Sequence, residues 1–386
     1  MSVLRKRHGD TKLAKPPSVS KAQKHESPGS SSSAVSGEGG VCGTVVKVLL
    51  FVVAVPPMLN YAGLKQEREH LITNATLFDV GFGQKLFMSC EGAGRPTVIL
   101  DAPTGLTSEV WRRGQAELVR AGAGRVCVYD RAGLGWSEAP PPLNMSDPGE
   151  AAVGRTLGPE ATALRMVADL HRLVSIVQQL ERPLVLVGAE LGGLVARLYT
   201  QLHPEDVSHL VMIDPVAETL FDEGGDNPWP DYWRGHVLPS LQLLQVAAMT
   251  GLARLGLVSG LISSPAEDSV RVKHHFCDPF HVQAVIDEHR HLNQSLRQMA
   301  EVAAAAPSLG EAGPQVTVVS GGQHDHQLAA GLNHAWSRGV QRVIAATGSR
   351  HVVISDGDRG TLLAGHVAQV LAPVIKNIRT WRQHQQ

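Results

Sequence analysis

From about Leu71 to the C-terminus, short apolar runs bounded by turn residues alternate with longer stretches of helical period. Strands buried on both faces read as continuous apolar runs, and a crossover between parallel neighbours needs a helix, so this alternation points to a mostly parallel sheet covered by helices. Eight strands are expected: Thr76 to Val80, Lys85 to Cys90, Thr97 to Leu100, Arg125 to Tyr129, Leu184 to Val187, Leu210 to Ile213, Val316 to Val319 and Val340 to Ala346. Helices are expected over Glu109 to Ala121, Pro159 to Leu180, Gly192 to Leu202, Leu328 to Ser337 and Thr361 to Ile378. In the second of these, Leu164, Val167, Leu170, Val174 and Val177 recur every three or four residues and give one buried face. The 386 residues, 43% of them hydrophobic, suffice for one large core.

Four segments carry a family resemblance. YDRAGLGWS, Tyr129 to Ser137, resembles the D-R-x-G-x-G-x-S turn that follows the fourth strand of α/β-hydrolases. LVLVGAELGGLVARLY, Leu184 to Tyr199, is similar to their strand, nucleophile elbow and helix, VILDAPTGLTSEVW, Val98 to Trp111, to the third strand and oxyanion loop, and HLVMIDP, His209 to Pro215, to the sixth strand. The resemblance implies an α/β-hydrolase fold over residues 71–386: an eight-stranded, mostly parallel sheet flanked by helices, with a helical cap inserted after strand six over residues 216–313. It also implies that Glu190 stands where the nucleophilic serine belongs. An elbow is a strained strand-to-helix turn that needs small neighbours, and Gly188, Gly192 and Gly193 supply them, so the turn is expected to form and to aim Glu190 into the pocket mouth. Carried over in the same way, His351 in Gly348 to His351 takes the base position, in a loop after the eighth strand, and Asp325 in Ser320 to Asp325 the acid position after the seventh. The oxyanion donors would be the backbone N–H groups of Leu191 and Thr104, the latter following Pro103 where the family commonly has glycine. Each residue also has a plain structural reading: His351 packed at a loop base, Asp325 as a turn residue, Glu190 favoured by about 0.3–1 kcal/mol at a helix N-terminus.

The N-terminal 43 residues carry seven Lys and Arg against three acidic residues, with Pro16-Pro17 and the run Ser30 to Ser33, and are expected to be a disordered basic tail. Val41 to Leu64 then has Lys47 as its only charge and is expected to contain one transmembrane helix over residues 44–64, although Pro56-Pro57 leaves a re-entrant segment open. Short-flank charge does not fix its direction. Three sequons beyond it, at Asn74, Asn144 and Asn293, are glycosylation candidates and favour a lumenal or extracellular domain. Cys42, Cys90, Cys127 and Cys277 have no C-x-x-C spacing and leave the redox compartment open.

Three functional readings follow. In the first, a degenerate, membrane-anchored hydrolase serves as a binding or interaction module: the anion of Glu190 would repel a developing oxyanion, and a neighbouring His351 would pair with it instead of deprotonating a hydroxyl. In the second, Glu190 is itself the nucleophile, as aspartate is in haloalkane dehalogenases and epoxide hydrolases of this fold, acting with His351 and Asp325 on a hydrophobic ester, halide or epoxide. Against it, glutamate is one methylene longer than aspartate, which displaces the attacking oxygen. A displaced serine, Ser320 or Ser349, is a variant of this reading. In the third, His274-His275-Phe276-Cys277 with His281, or Glu288-His289-Arg290-His291, binds a metal, but neither has H-E-x-x-H spacing and cap histidines explain them more simply. The first reading is the expectation, with no cofactor and no metal. Gly235 to Ile262 is apolar over most helical faces and follows Trp229, Tyr232 and Trp233, which fits either a hydrophobic small-molecule ligand under the cap or simple closure of the core. Lys and Arg total 35 against 36 Asp and Glu, so no nucleic-acid partner is expected.

Overall fold

The computed structural model describes residues 39–71, 76–140, 146–149, 151, 161–222, 224, 227–259, 270–305, 309 and 313–383. The expected tail, apart from its last residues, and the sequons at Asn74 and Asn144 lie outside the described residues. Helix α1, Gly39–Leu71, runs through Pro56 and Pro57 and includes the expected span. Among the described residues it is one helix long and apolar enough to cross a membrane, and its apolar stretch is almost entirely uncovered by protein.

Eight strands form one sheet: β1 Thr76–Asp79, β2 Lys85–Glu91, β3 Thr97–Asp101, β4 Arg125–Tyr129, β5 Leu184–Ala189, β6 Val207–Ile213, β7 Gln315–Gly321 and β8 Arg350–Ile354. Their order is β1-β2-β4-β3-β5-β6-β7-β8. β2 is antiparallel to both its neighbours, and the strands from β4 to β8 are parallel. Alternate side chains enter opposite layers, as the strand's two-residue period requires. Val98, Leu100, Val185, Val187, Val211 and Ile213 join the core beneath α2, Arg112–Arg120, and α10, Val367–Gln383. Ile99, Leu184, Leu186, Leu210 and Met212 join the larger core against α3, Ala163–Ile176, α4, Leu191–Leu202, and α9, Ala330–Thr347. Cys90 and Cys127 face each other in the β2–β4 ladder and form a disulfide.

The eighth strand lies elsewhere than the sequence suggested. Val340 to Ala346 is helical, inside α9, where Leu332, Trp336, Val340, Val343 and Thr347 make one buried stripe at three- and four-residue spacing. The strand is Arg350–Ile354, a half-exposed edge with one fully buried side chain, Ile354. Between β6 and β7 the cap comprises helical turns over Trp229–Tyr232 and Trp233–Val237, then α5 Leu238–Met249, α6 Leu252–Val258, α7 Val270–Cys277 and α8 Pro279–Ala305. α8 spans cap and core: Leu292, Leu296 and Met299 are buried with α3 and α4, and Ser295 Oγ accepts the Ala163 N–H at 3.0 Å.

Candidate active site

The whole of β5 is buried, and α4 begins one residue beyond it, leaving Glu190 to make the turn at φ 47° and ψ −113°. Non-glycine residues rarely adopt such a conformation, and the surroundings enforce it. Glu190 N–H donates to Ile213 O at 3.0 Å, and its carbonyl accepts the Leu194 N–H at 3.1 Å. A Cβ on Gly188 would run into the Gly192 carbonyl, and one on Gly192 would lie 2.6 Å from Ala102 O. The glycines are therefore the space through which strand and helix approach each other.

At the elbow Glu190 meets an arginine. Arg359 Nε and Nη2 both converge on Glu190 Oε1, at 3.0 and 2.9 Å. Arg359 lies in the loop after β8, with its guanidinium 3.8 Å from the Trp336 ring centroid, 5.5 Å from that of Trp229, and its Nε 3.7 Å from Asp214 Oδ2. Burial alone would lower its pKa, but Glu190 and Asp214 more than offset this and hold it above its ordinary value. Asp214, just past β6 at φ 46°, has its carboxyl pushed up to about 6 by burial, with Arg359 opposing.

His351 is not in the loop after the last strand. It lies within β8, opposite Val318, and its Nε2 is 2.8 Å from Ser320 Oγ on β7. Burial lowers its pKa. Among the described residues no hydrogen bond or ion pair joins it to Glu190 or Asp325. Asp325 does follow β7, but there its Oδ1 accepts the Gln327 N–H at 2.8 Å, and its charge raises the pKa of Arg359. The side chain facing Glu190 from the loop after β8 is thus arginine where the resemblance leads one to seek histidine. Of the expected oxyanion residues, Leu191 is buried at the start of α4, and Thr104 sits in the turn closed by the Leu106 N–H donating to Pro103 O at 3.1 Å. The next amide in that turn, Gly105 N–H, donates to Glu288 Oε2 of α8 at 2.8 Å. Arg131 fixes the same loop from below, donating to Ala102 O and Pro103 O and pairing with Asp101 at 2.5 Å and Glu288 at 2.6 Å, all buried. His289 stands over this loop, its Nδ1 bonded to Val285 O at 2.7 Å and its ring stacked on Trp233.

The comparisons agree with the fold. A family model described as the α/β hydrolase fold matches residues 93–254, which include the loop around Thr104 and the turn at Glu190. This chain has the α/β-hydrolase fold. Among solved structures similar to this α/β-hydrolase-fold protein, the Cif epoxide hydrolase of Acinetobacter nosocomialis is 13% identical with a TM-score of 0.59, over 83% of this chain and 96% of that one. An esterase of Exiguobacterium antarcticum is 17% identical with a TM-score of 0.51, over 78% and 99%. At such identities the likeness is one of fold alone. An uncharacterized protein of Schizosaccharomyces pombe is 31% identical over 101 residues, 26% of this chain and 16% of that protein's length.

Sequence reasoning missed Arg359, Asp214 and the joint role of Arg131 and Glu288. The signal for Arg359 was the turn-rich stretch Ser355 to Thr361, which became the loop after the last strand once β8 moved to Arg350–Ile354. Among the described residues no group of three His, Cys, Asp or Glu side chains is arranged to hold a metal. A cavity of about 260 Å³ opens against Trp229 and Trp336, the two rings that flank Arg359, and is also lined by Leu220, Asp222 and Arg342.

Proposed function

We propose that this chain is a membrane-anchored, non-hydrolytic relative of the α/β-hydrolases that works as a binding module, with its domain on the lumenal or extracellular side. The Glu190–Arg359 ion pair carries the proposal. An arginine stays protonated at any physiological pH and cannot take a proton from a hydroxyl or a water, while a carboxylate at the elbow opposes the negative charge of a tetrahedral intermediate. The same pair argues against Glu190 as nucleophile on an ester, halide or epoxide: one carboxylate oxygen is engaged by two guanidinium N–H groups, and among the described residues no hydrogen bond joins Glu190 to a histidine that would activate water on an ester intermediate. The exposed apolar side chains of the cap favour a hydrophobic small molecule as ligand. The apolar helix α1 supports anchoring, and the Cys90–Cys127 disulfide, with the exposed sequon residue Asn293, supports an oxidising compartment.

A second reading rests on the Ser320–His351 contact of 2.8 Å. With its pKa lowered by burial, His351 is a neutral acceptor at pH 7, as a base must be, although no carboxylate orients it among the described residues. One labelling experiment with a fluorophosphonate probe separates these readings. We expect no label on the natural protein or on Glu190→Ser, because Arg359 is no base, and label on the double variant Glu190→Ser, Arg359→His. Labelling of the natural protein that disappears in Ser320→Ala would overturn the binding-module reading in favour of the dyad.

A further inference from the structure

The cap presents an apolar corner that the domain leaves uncovered. α5 and α6 meet at Gly251 with a bend of 89°, and Leu243, Val246, Met249, Leu252, Leu255 and Val258 on these helices are all exposed. From Gly235 to Ala253 the sequence contains no Asp, Glu, Lys or Arg. Single exposed apolar side chains are ordinary, but six on one corner are not, and the one charge among them, Arg254, is paired with Glu67 of α1.

The occupant follows from how this corner meets α1. Gly251, at φ 75°, lies so close to the Pro56 carbonyl that a Cβ there would collide with it. Farther along α1 the contacts become polar. Asn60 Nδ2 donates to Ala248 O at 3.0 Å and Cys277 O at 2.9 Å, while its Oδ1 accepts Arg254 Nε at 2.9 Å. Beyond the apolar run, Glu67 binds Arg254 Nη2 and His274 Nδ1, each at 2.9 Å. Pro56 precedes Leu64, the end of that run, by eight residues, which is about 12 Å of helix and less than the roughly 15 Å half-thickness of a hydrocarbon core. The charges thus sit at the level where headgroups and water begin, and the apolar corner sits at the depth of acyl chains.

We propose that the α5–α6 corner is embedded in the bilayer leaflet that α1 crosses, with lipid acyl chains covering its exposed leucines, valines and methionine. The cap is then a membrane-inserted element, and the Glu190–Arg359 site lies beneath a lid in contact with lipid. This rests on the reading of α1 as a membrane span. Every polar group the corner brings close to α1 is bonded within the protein, as insertion demands.

The test uses the full chain in phosphatidylcholine vesicles, in a Cys42→Ser background; Cys277 is buried and Cys90 and Cys127 are paired, so an added cysteine takes the label. Met249→Cys, Leu255→Cys, Phe51→Cys and Glu181→Cys are each labelled with a nitrobenzoxadiazole fluorophore, Glu181 being an exposed residue before β5, at the end of the sheet away from the cap. The labels at 249, 255 and 51 should lose most of their fluorescence to a lipid-borne nitroxide and little to iodide, and the label at 181 the reverse. If 51 answers to the nitroxide while 249 and 255 answer to iodide, the corner lies in water and the proposal fails although the anchor stands. If 249 and 255 are shielded from both quenchers, protein covers the corner, and the proposal also fails. If 51 answers to iodide, α1 is not a span and both readings fall.

Discussion

Arg359 balances two carboxylates at once, Glu190 at 2.9 Å and Asp214 at 3.7 Å, and stacks on Trp336. Replacing it by alanine leaves both acids without their cation and the tryptophan face open. Since Arg359 and Glu190 are each about a fifth exposed, at 21% and 19%, water screens part of the loss. Arg359→Ala is expected to cost about 2 kcal/mol, below the 3–5 kcal/mol of a fully buried broken pair. Arg359→Ala combined with Glu190→Gln should recover part of it, as read from urea midpoints of the detergent-solubilised protein. A loss in the double variant equal to the sum of the Arg359→Ala and Glu190→Gln losses would mean that the pair contributes no coupling. At this scale the sequence was half legible. Glu190 could be named because the glycines around it announce the turn, whereas its partner could not, since 169 residues separate the two and nothing local marks an arginine that stacks on a distant tryptophan.

α8 ties the cap to the core through groups that titrate differently. His281, near its start, accepts the Gly135 N–H at Nδ1 at 3.0 Å, a bond that requires this nitrogen to be unprotonated. Burial, with a smaller effect of the neighbouring His274, lowers the pKa of His281 to about 4 from the ordinary 6.5. Between these values the unfolded chain binds the proton and the folded one does not, so stability present above pH 6.5 is lost as the pH falls toward 4. The loss attributable to this residue is about 3 kcal/mol. His281→Asn keeps an acceptor for Gly135 without titrating, and the stability difference between natural protein and variant should grow by that amount from pH 4 to pH 7. A difference independent of pH would refute the assignment. The elements themselves were readable where one period dominated: β3, β4, β5 and β6 fall where expected, because strands buried on both faces leave unbroken apolar runs. β8 was not readable, because an edge strand needs few apolar residues, and the valines of the adjacent helix mimicked it.

For the molecule as a whole, compartment and stability meet in the Cys90–Cys127 bridge. It closes a loop with a sequence separation of 37, for which chain entropy gives a contribution of about 3–4 kcal/mol. Reduction should lower stability by that order, and alkylation of the unreduced, unfolded protein should leave Cys90 and Cys127 unmodified; alkylation at Cys90 would argue for a reducing compartment. Asn293 is exposed on α8 while the hydroxyl of its sequon, on Ser295, is buried, so a glycan there has to be attached before α8 docks. An endoglycosidase shift that is diminished in Asn293→Gln is the expected outcome.

Glu190 and Arg359 also govern the path by which such a protein could change. An exchange of Glu190 for serine alone strands an arginine beside Asp214 and leaves Arg359, which is no base, facing the serine, and an exchange of Arg359 for histidine alone leaves a glutamate at the turn. Neither single step supplies both a serine and a facing histidine, and each gives up the Glu190–Arg359 ion pair. On the binding-module reading proposed above, the two residues act as one unit: a serine and a facing histidine at this turn require both exchanges together.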